Sequence, residues 1–205
     1  VFLYRGWQSL AGLISVLFVT YFLSAEQQGW YYSFQSIAAI YTLFDSGLSL
    51  VLIQVFSFYK AGNNLPFISK IFKRAVHKYV ILSALFLIVV SVSGLLFFDM
   101  QSNAQVSPDH WQLIWLGLVI FTSINMLFMP VLAYYEGSGF LHKVYQFRIL
   151  QSVVGSILLW ITLFNKGGIV AVLANPLVVM ISTCIFIYLA KNKLSHIWQL
   201  RTDSV

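Results

Sequence analysis

Charge is what this sequence has least of: Asp, Glu, Lys and Arg together make up 9% of its 205 residues, against about 25% in soluble domains. So few ions cannot cover a water-facing surface, and the composition requires lipid as solvent. Cysteine is rarer still: Cys184 stands alone, which excludes an intramolecular disulfide and a thiolate metal cluster. The strict alternation of polar and apolar residues that a membrane barrel needs is missing. Missing too are a Gly-x-x-x-x-Gly-Lys-Ser/Thr phosphate loop, a His-Glu-x-x-His zinc motif and a Gly-x-Ser-x-Gly nucleophile elbow. No enzyme class, no catalytic residue and no cofactor is therefore indicated. His77, His110, His142 and His196 are isolated from one another in predicted loops, so no metal site is expected.

What is present is apolar residue in blocks. Hydrophobic residues are 60% of the chain and the mean hydropathy is +0.84. The blocks run 7–23, 31–59, 79–98, 113–135, 147–164 and 169–190, each long enough to cross a hydrocarbon core of roughly 30 Å as a helix. The fold class expected is an all-α, polytopic membrane bundle of about six transmembrane helices, with residues 1–205 forming one transmembrane lobe. The second span is the longest and is expected to tilt or project. Trp30, Tyr31, Tyr59, Tyr79, Trp111 and Trp115 fall near span ends, where amphipathic rings favour the interface.

Basic residues set the orientation, because Lys and Arg are retained on the cytoplasmic side during insertion. Arg5, Lys60, Lys70, Lys73, Arg74, Lys78, Lys143, Arg148, Lys191, Lys193 and Arg201 fall on one side and Lys166 alone on the other. Both termini are therefore expected in the cytoplasm, while Glu26, Asp99 and Asp109 occupy outer loops. This topology accounts for the net charge of +6, and nucleic acid is not an expected partner. Over 67–78, Phe67, Ile68, Ile71, Phe72, Ala75 and Val76 alternate at helical spacing with Lys70, Lys73, Arg74 and Lys78. That pattern predicts an amphipathic interfacial helix held on anionic membrane lipids.

Asp45 lies about halfway along the second span, where a carboxylate costs at least ~2.5 kcal/mol unless it is paired, hydrated or protonated. At 100° per residue Gln35, Thr42, Asp45, Ser46 and Ser49 share about one third of the helix circumference. Such a stripe suits the lining of a central cavity or a proton-coupling site. It equally suits a structural Asp bonded to a neighbouring helix, with Gly47 allowing close packing. Pro130 interrupts the fourth span and Asn175-Pro176 the sixth, each a predicted kink. Thr122, Ser123, Asn125, Gln151, Ser152 and Ser156 add polarity for which interhelical hydrogen bonds are the ordinary role.

Two stretches carry a family resemblance. Phe22-Leu23-Ser24-Ala25-Glu26-Gln27-Gln28-Gly29-Trp30-Tyr31-Tyr32 followed by Phe44-Asp45-Ser46-Gly47-Leu48 resembles the start of polysaccharide and O-antigen flippases, members of the multidrug/oligosaccharidyl-lipid/polysaccharide exporter superfamily. Glu136-Gly137-Ser138-Gly139 with Lys143 and Arg148 is similar to an inner loop of that family. The resemblance implies transport of an undecaprenyl-pyrophosphate-linked oligosaccharide across a bacterial inner membrane, by alternating access between two six-helix lobes. It implies that this chain is an amino-terminal fragment whose second lobe is absent. A cation-coupled small-molecule antiporter of the same superfamily, and a membrane-embedded enzyme or assembly subunit, are the alternative readings. Arg5 and Arg148, which begin the first and fifth spans, are the candidates for contact with the pyrophosphate. Their alternative role is to snorkel to lipid phosphates. Gln35, Thr42, Asp45 and Ser49 complete the candidate cavity.

Overall fold

The computed structural model describes residues 2–102 and 110–199. Asp109 and Arg201, counted above among the loop charges, lie outside these residues, and the side chains of Lys193 and His196 lie outside the description as well. The described chain is all α-helical but for one 3-10 segment: α1 Phe2–Phe22, α2 Ala25–Ala38, α3 Tyr41–Asp45, α4 Leu48–Ala61, α5 Leu65–Ser102, α6 Trp111–Leu127, α7 Met129–Gly137, α8 Leu141–Phe164, a 3-10 helix Gly168–Leu173, and α9 Ala174–Gln199.

Among the described residues, four runs are long and apolar enough to cross a membrane: Leu65–Met100, Trp111–Gly137, Leu141–Phe164 and Gly168–Lys191. The segments Ala25–Asp45 and Leu48–Ala61, bent by 41° at their junction, make a fifth if they are taken as one broken span. The first predicted span is not in this set, since α1 carries Arg5, Gln8, Ser9 and Ser15 among its apolar residues. It nevertheless belongs to the bundle and runs parallel to α8. Tyr4 meets Tyr145 at one end, with ring centroids 6.1 Å apart, and Phe22 meets Phe164 at the other, at 6.0 Å.

The longest helix is not the second span but α5, with 38 residues and about 57 Å of length at 1.5 Å per residue. Its first three turns correct the expected interfacial helix. Residues 67–78 continue directly into the span, and their apolar face is closed by protein, not lipid. Ile68, Phe72 and Ala75 are buried, Phe72 packs against Phe56 of α4 and Tyr134 of α7, and Phe67 stacks on Tyr59. Helical periodicity reports a buried face without naming what buries it.

The second predicted span is broken twice. α2 starts on a capping box in which Ser24 Oγ accepts from the Gln27 amide while the Gln27 side chain accepts from the Ser24 amide, satisfying two otherwise orphaned donors. It stops at Ala38, and α3 lasts five residues before Ser46 and Gly47 take left-handed conformations at φ 44° and 75°. Gly47 is suited to that angle because it has no Cβ. A Cβ there would meet no atom within 4 Å, so Gly47 serves the break and not the close packing expected of it. Close packing falls instead to Gly137, where a Cβ would come within 2.6 Å of the Ile53 carbonyl oxygen and 2.7 Å of Phe56 Cβ. α7 thereby lies directly on α4.

Both predicted proline kinks are refined. α6 ends at Leu127 and α7 begins at Met129, with Pro130 at the start of α7, where its missing N–H leaves no hydrogen bond unmade. Pro176 likewise sits in the first turn of α9 and starts that helix instead of bending it. Its carbonyl accepts from Asn125 Nδ2 at 3.0 Å. Ser123 and Gln151 also bond across helices, to the Ser83 carbonyl and to Ser182 and Thr183. Thr122 and Ser156 bond back to their own helices.

Trp30, Tyr31, Tyr79, Trp111 and Trp115, expected at the interface near span ends, are buried within the protein. Trp30, Phe34, Phe98, Trp111 and Trp115 pack on one another with centroids 4.7–6.1 Å apart, tying α2, α5 and α6 together. The outer surface is apolar instead: Leu13, Leu17, Ile88, Leu96, Leu113 and Ile161 are all more than half exposed. A water-soluble monomer does not leave so continuous an apolar exterior.

Candidate functional site

Two spaces open inside the bundle. One chamber, of about 480 Å³, lies between α1, α2, α8 and α9. A second, of about 420 Å³, lies between α3, α4, α7 and α8. Arg148 lines both. It reaches them because α8 begins at Leu141, six residues earlier than predicted, which puts Arg148 two turns inside the helix and not at its mouth.

Arg148 is held from two sides. Its guanidinium forms an ion pair with Glu136 and lies over the Tyr145 ring, 5.5 Å from the centroid, within cation–π range. Glu136 is buried, as are its neighbours Tyr134, Tyr135 and Gly137, because α7 is wedged against α4 at Gly137. A carboxylate so enclosed needs a charged partner, and the guanidinium supplies one with fixed geometry. Glu136 was expected in an inner loop, and instead it is the last polar residue of a buried helix.

Asp45 has partners on both sides of the helix break. Tyr79 of α5 donates its hydroxyl to Oδ1, and Ser49 of α4 donates to Oδ2 at 2.8 Å. The carboxylate thus joins α3, α4 and α5 where the backbone of the second span gives way, which is the structural role the sequence offered for it. It also lines the second chamber with Glu136 and Arg148, so its placement accords with the cavity role too.

The single polar stripe predicted for the second span does not exist as such. Its 100° spacing assumes one continuous helix, and the breaks divide it. Gln35 lines the first chamber, while Thr42, Asp45 and Ser49 line the second. Ser46 lines neither, and its hydroxyl donates back to the Leu43 carbonyl. Arg5 is exposed and lines neither chamber. The structure therefore brings Arg148 to the cavities and leaves Arg5 outside them. Sequence reasoning overlooked Glu136, Tyr79, Tyr4, Gln8 and Tyr31 as site residues.

With an apolar exterior and, among the described residues, four or five apolar helical runs long enough to cross a bilayer, the molecule is a multi-pass helical membrane protein. Compared with known proteins, the chain matches no family model, no curated protein sequence and no solved structure.

Proposed function

We propose that the chain is one lobe of a transporter that moves a lipid-linked oligosaccharide, of the undecaprenyl-pyrophosphate type, across a bacterial inner membrane. The observation that carries this reading is the pair of chambers, each lined in part by polar side chains, that share Arg148 inside a bundle whose exterior is apolar. An amphiphile crossing a bilayer keeps its tail in lipid, while its polar head requires an enclosed polar route, because stripping water from charged groups in hydrocarbon costs several kcal/mol. An arginine is the side chain best matched to phosphate oxygens. A second six-helix lobe, outside this sequence, would complete the passage.

Asp45 and Glu136 in the second chamber favour a second reading, a cation-coupled antiporter of small molecules, since carboxylates inside a bundle are the usual carriers of protons and cations. Reconstitution of the complete protein in liposomes distinguishes the two. Protein-dependent transfer of a fluorescent lipid-linked oligosaccharide between leaflets is expected. Absence of transfer, together with efflux of a cationic dye driven by a proton or sodium gradient, would move the assignment to the second reading.

The orientation belongs to this proposal. In a Cys184→Ser background, an impermeant thiol reagent added outside is expected to label Asn165→Cys and to reach Asn64→Cys only after the membrane is opened. Both positions are exposed at helix ends. The reverse labelling would place the termini outside.

A further inference from the structure

The first chamber carries a pattern that its polarity alone does not explain. On α1, Gln8 Nε2 donates to the Tyr4 hydroxyl at 2.8 Å. On α2, Gln35 Nε2 donates to the Tyr31 hydroxyl at 2.9 Å. Both pairs have the same four-residue spacing, which places the two side chains on one helix face, and all four residues line the chamber. In each pair the glutamine amide N–H is engaged, so the phenol keeps its hydrogen to donate and the glutamine keeps its carbonyl oxygen to accept. Two helices thus present the same donor-and-acceptor unit to one space. Gln151 on α8 repeats half of the pattern, its Nε2 being bound to Ser182 and Thr183 of α9.

The chamber's charge limits what it suits. Among its described lining residues Arg148 is the one charged side chain and no carboxylate is present, so the chamber supplies no anion to pair with a metal cation or an ammonium group. A ligand that is uncharged, and whose groups each donate and accept, meets the pattern: adjacent hydroxyls of a sugar ring do so, and tyrosine rings supply flat faces beside them. Resting on the transport reading above, we propose that this chamber is the subsite for neutral sugar residues of the substrate, with the Tyr4–Gln8 and Tyr31–Gln35 pairs as its hydroxyl-reading elements.

Three probes offered to the complete protein in lipid nanodiscs test the assignment: a soluble neutral tetrasaccharide of hexoses and N-acetylhexosamines, undecaprenyl pyrophosphate, and the same lipid carrying that tetrasaccharide. The glycosylated lipid is expected to bind at least about tenfold more tightly than the bare lipid. Changing Tyr31→Phe with Gln35→Leu removes one donor and one acceptor, and is expected to lower that ratio about tenfold. Tyr4→Phe with Gln8→Leu, on a different helix, is expected to act in the same direction and keeps the test decisive if the α2 variant does not fold. Retention of the full ratio by both variants would overturn the sugar subsite and leave lipid transport standing. Binding of the soluble tetrasaccharide that both variants weaken, with no binding of either lipid, would uphold the subsite and overturn the lipid-linked reading.

Discussion

Arg148→Gln is expected to lower the stability of the folded protein by about 3–5 kcal/mol, because it leaves Glu136 buried without the cation it meets in the native structure. Transport is expected to fall to background, since the two chambers lose the group they share. The double change Arg148→Gln with Glu136→Gln replaces the ion pair by two neutral amides, so stability returns to near the wild-type value while transport does not. Arg148→Lys retains charge and loses the planar fork, and is expected to transport more slowly than Arg5→Lys, which alters an exposed residue outside both chambers. Unfolding of the purified variants in nanodiscs, followed beside leaflet transfer in liposomes, gives both readings. A fully stable, fully active Arg148→Gln protein would remove the pair from the mechanism.

The fold class was legible because lipid imposes one strong rule: backbone polar groups must be satisfied within each segment, so long apolar blocks become helices. The internal geometry was less legible, for reasons that differ from residue to residue. Periodicity over 31–59 presumes an unbroken helix, but the break between Ala38 and Tyr41 divides its polar face between two chambers, and a second break follows at the left-handed residues Ser46 and Gly47. Those residues carry a readable signal, since Asp-Ser-Gly is turn chemistry even inside an apolar run. Over 67–78 the alternation predicts an amphipathic face on lipid, whereas the residues that cover Ile68, Phe72 and Ala75 are protein, which one sequence cannot name. Glu136 and Arg148 flank the turn Gly137-Ser138-Gly139 between α7 and α8. A carboxylate at the end of one helix and a guanidinium two turns into the next, joined by a short turn, can reach each other to pair. The signal was present, and ending the fourth span at Tyr135 concealed it.

Asp45 divides the two transport readings most sharply, and its substitutions are expected to separate structure from charge. Asp45→Asn keeps the shape and an acceptor for Tyr79, and its amide N–H can donate to Ser49 Oγ. Stability is therefore expected to change by less than about 1 kcal/mol. Asp45→Leu leaves the buried Tyr79 hydroxyl with no acceptor from α3 and removes the tie to Ser49, at a cost of about 1–3 kcal/mol. It also frees the 41° junction between Ala25–Asp45 and Leu48–Ala61 from its link to α5. Because both carboxylate oxygens are engaged by protein hydroxyls, the expectation is that the Asn variant moves lipid-linked oligosaccharide within about twofold of wild type, while the Leu variant is both less stable and slower. Leaflet transfer and thermal unfolding measured on the same preparations check this. A tenfold or greater loss of transport in a fully stable Asn variant would assign the negative charge itself to the transport cycle, and with it the carboxylate chemistry of the cation-coupled reading.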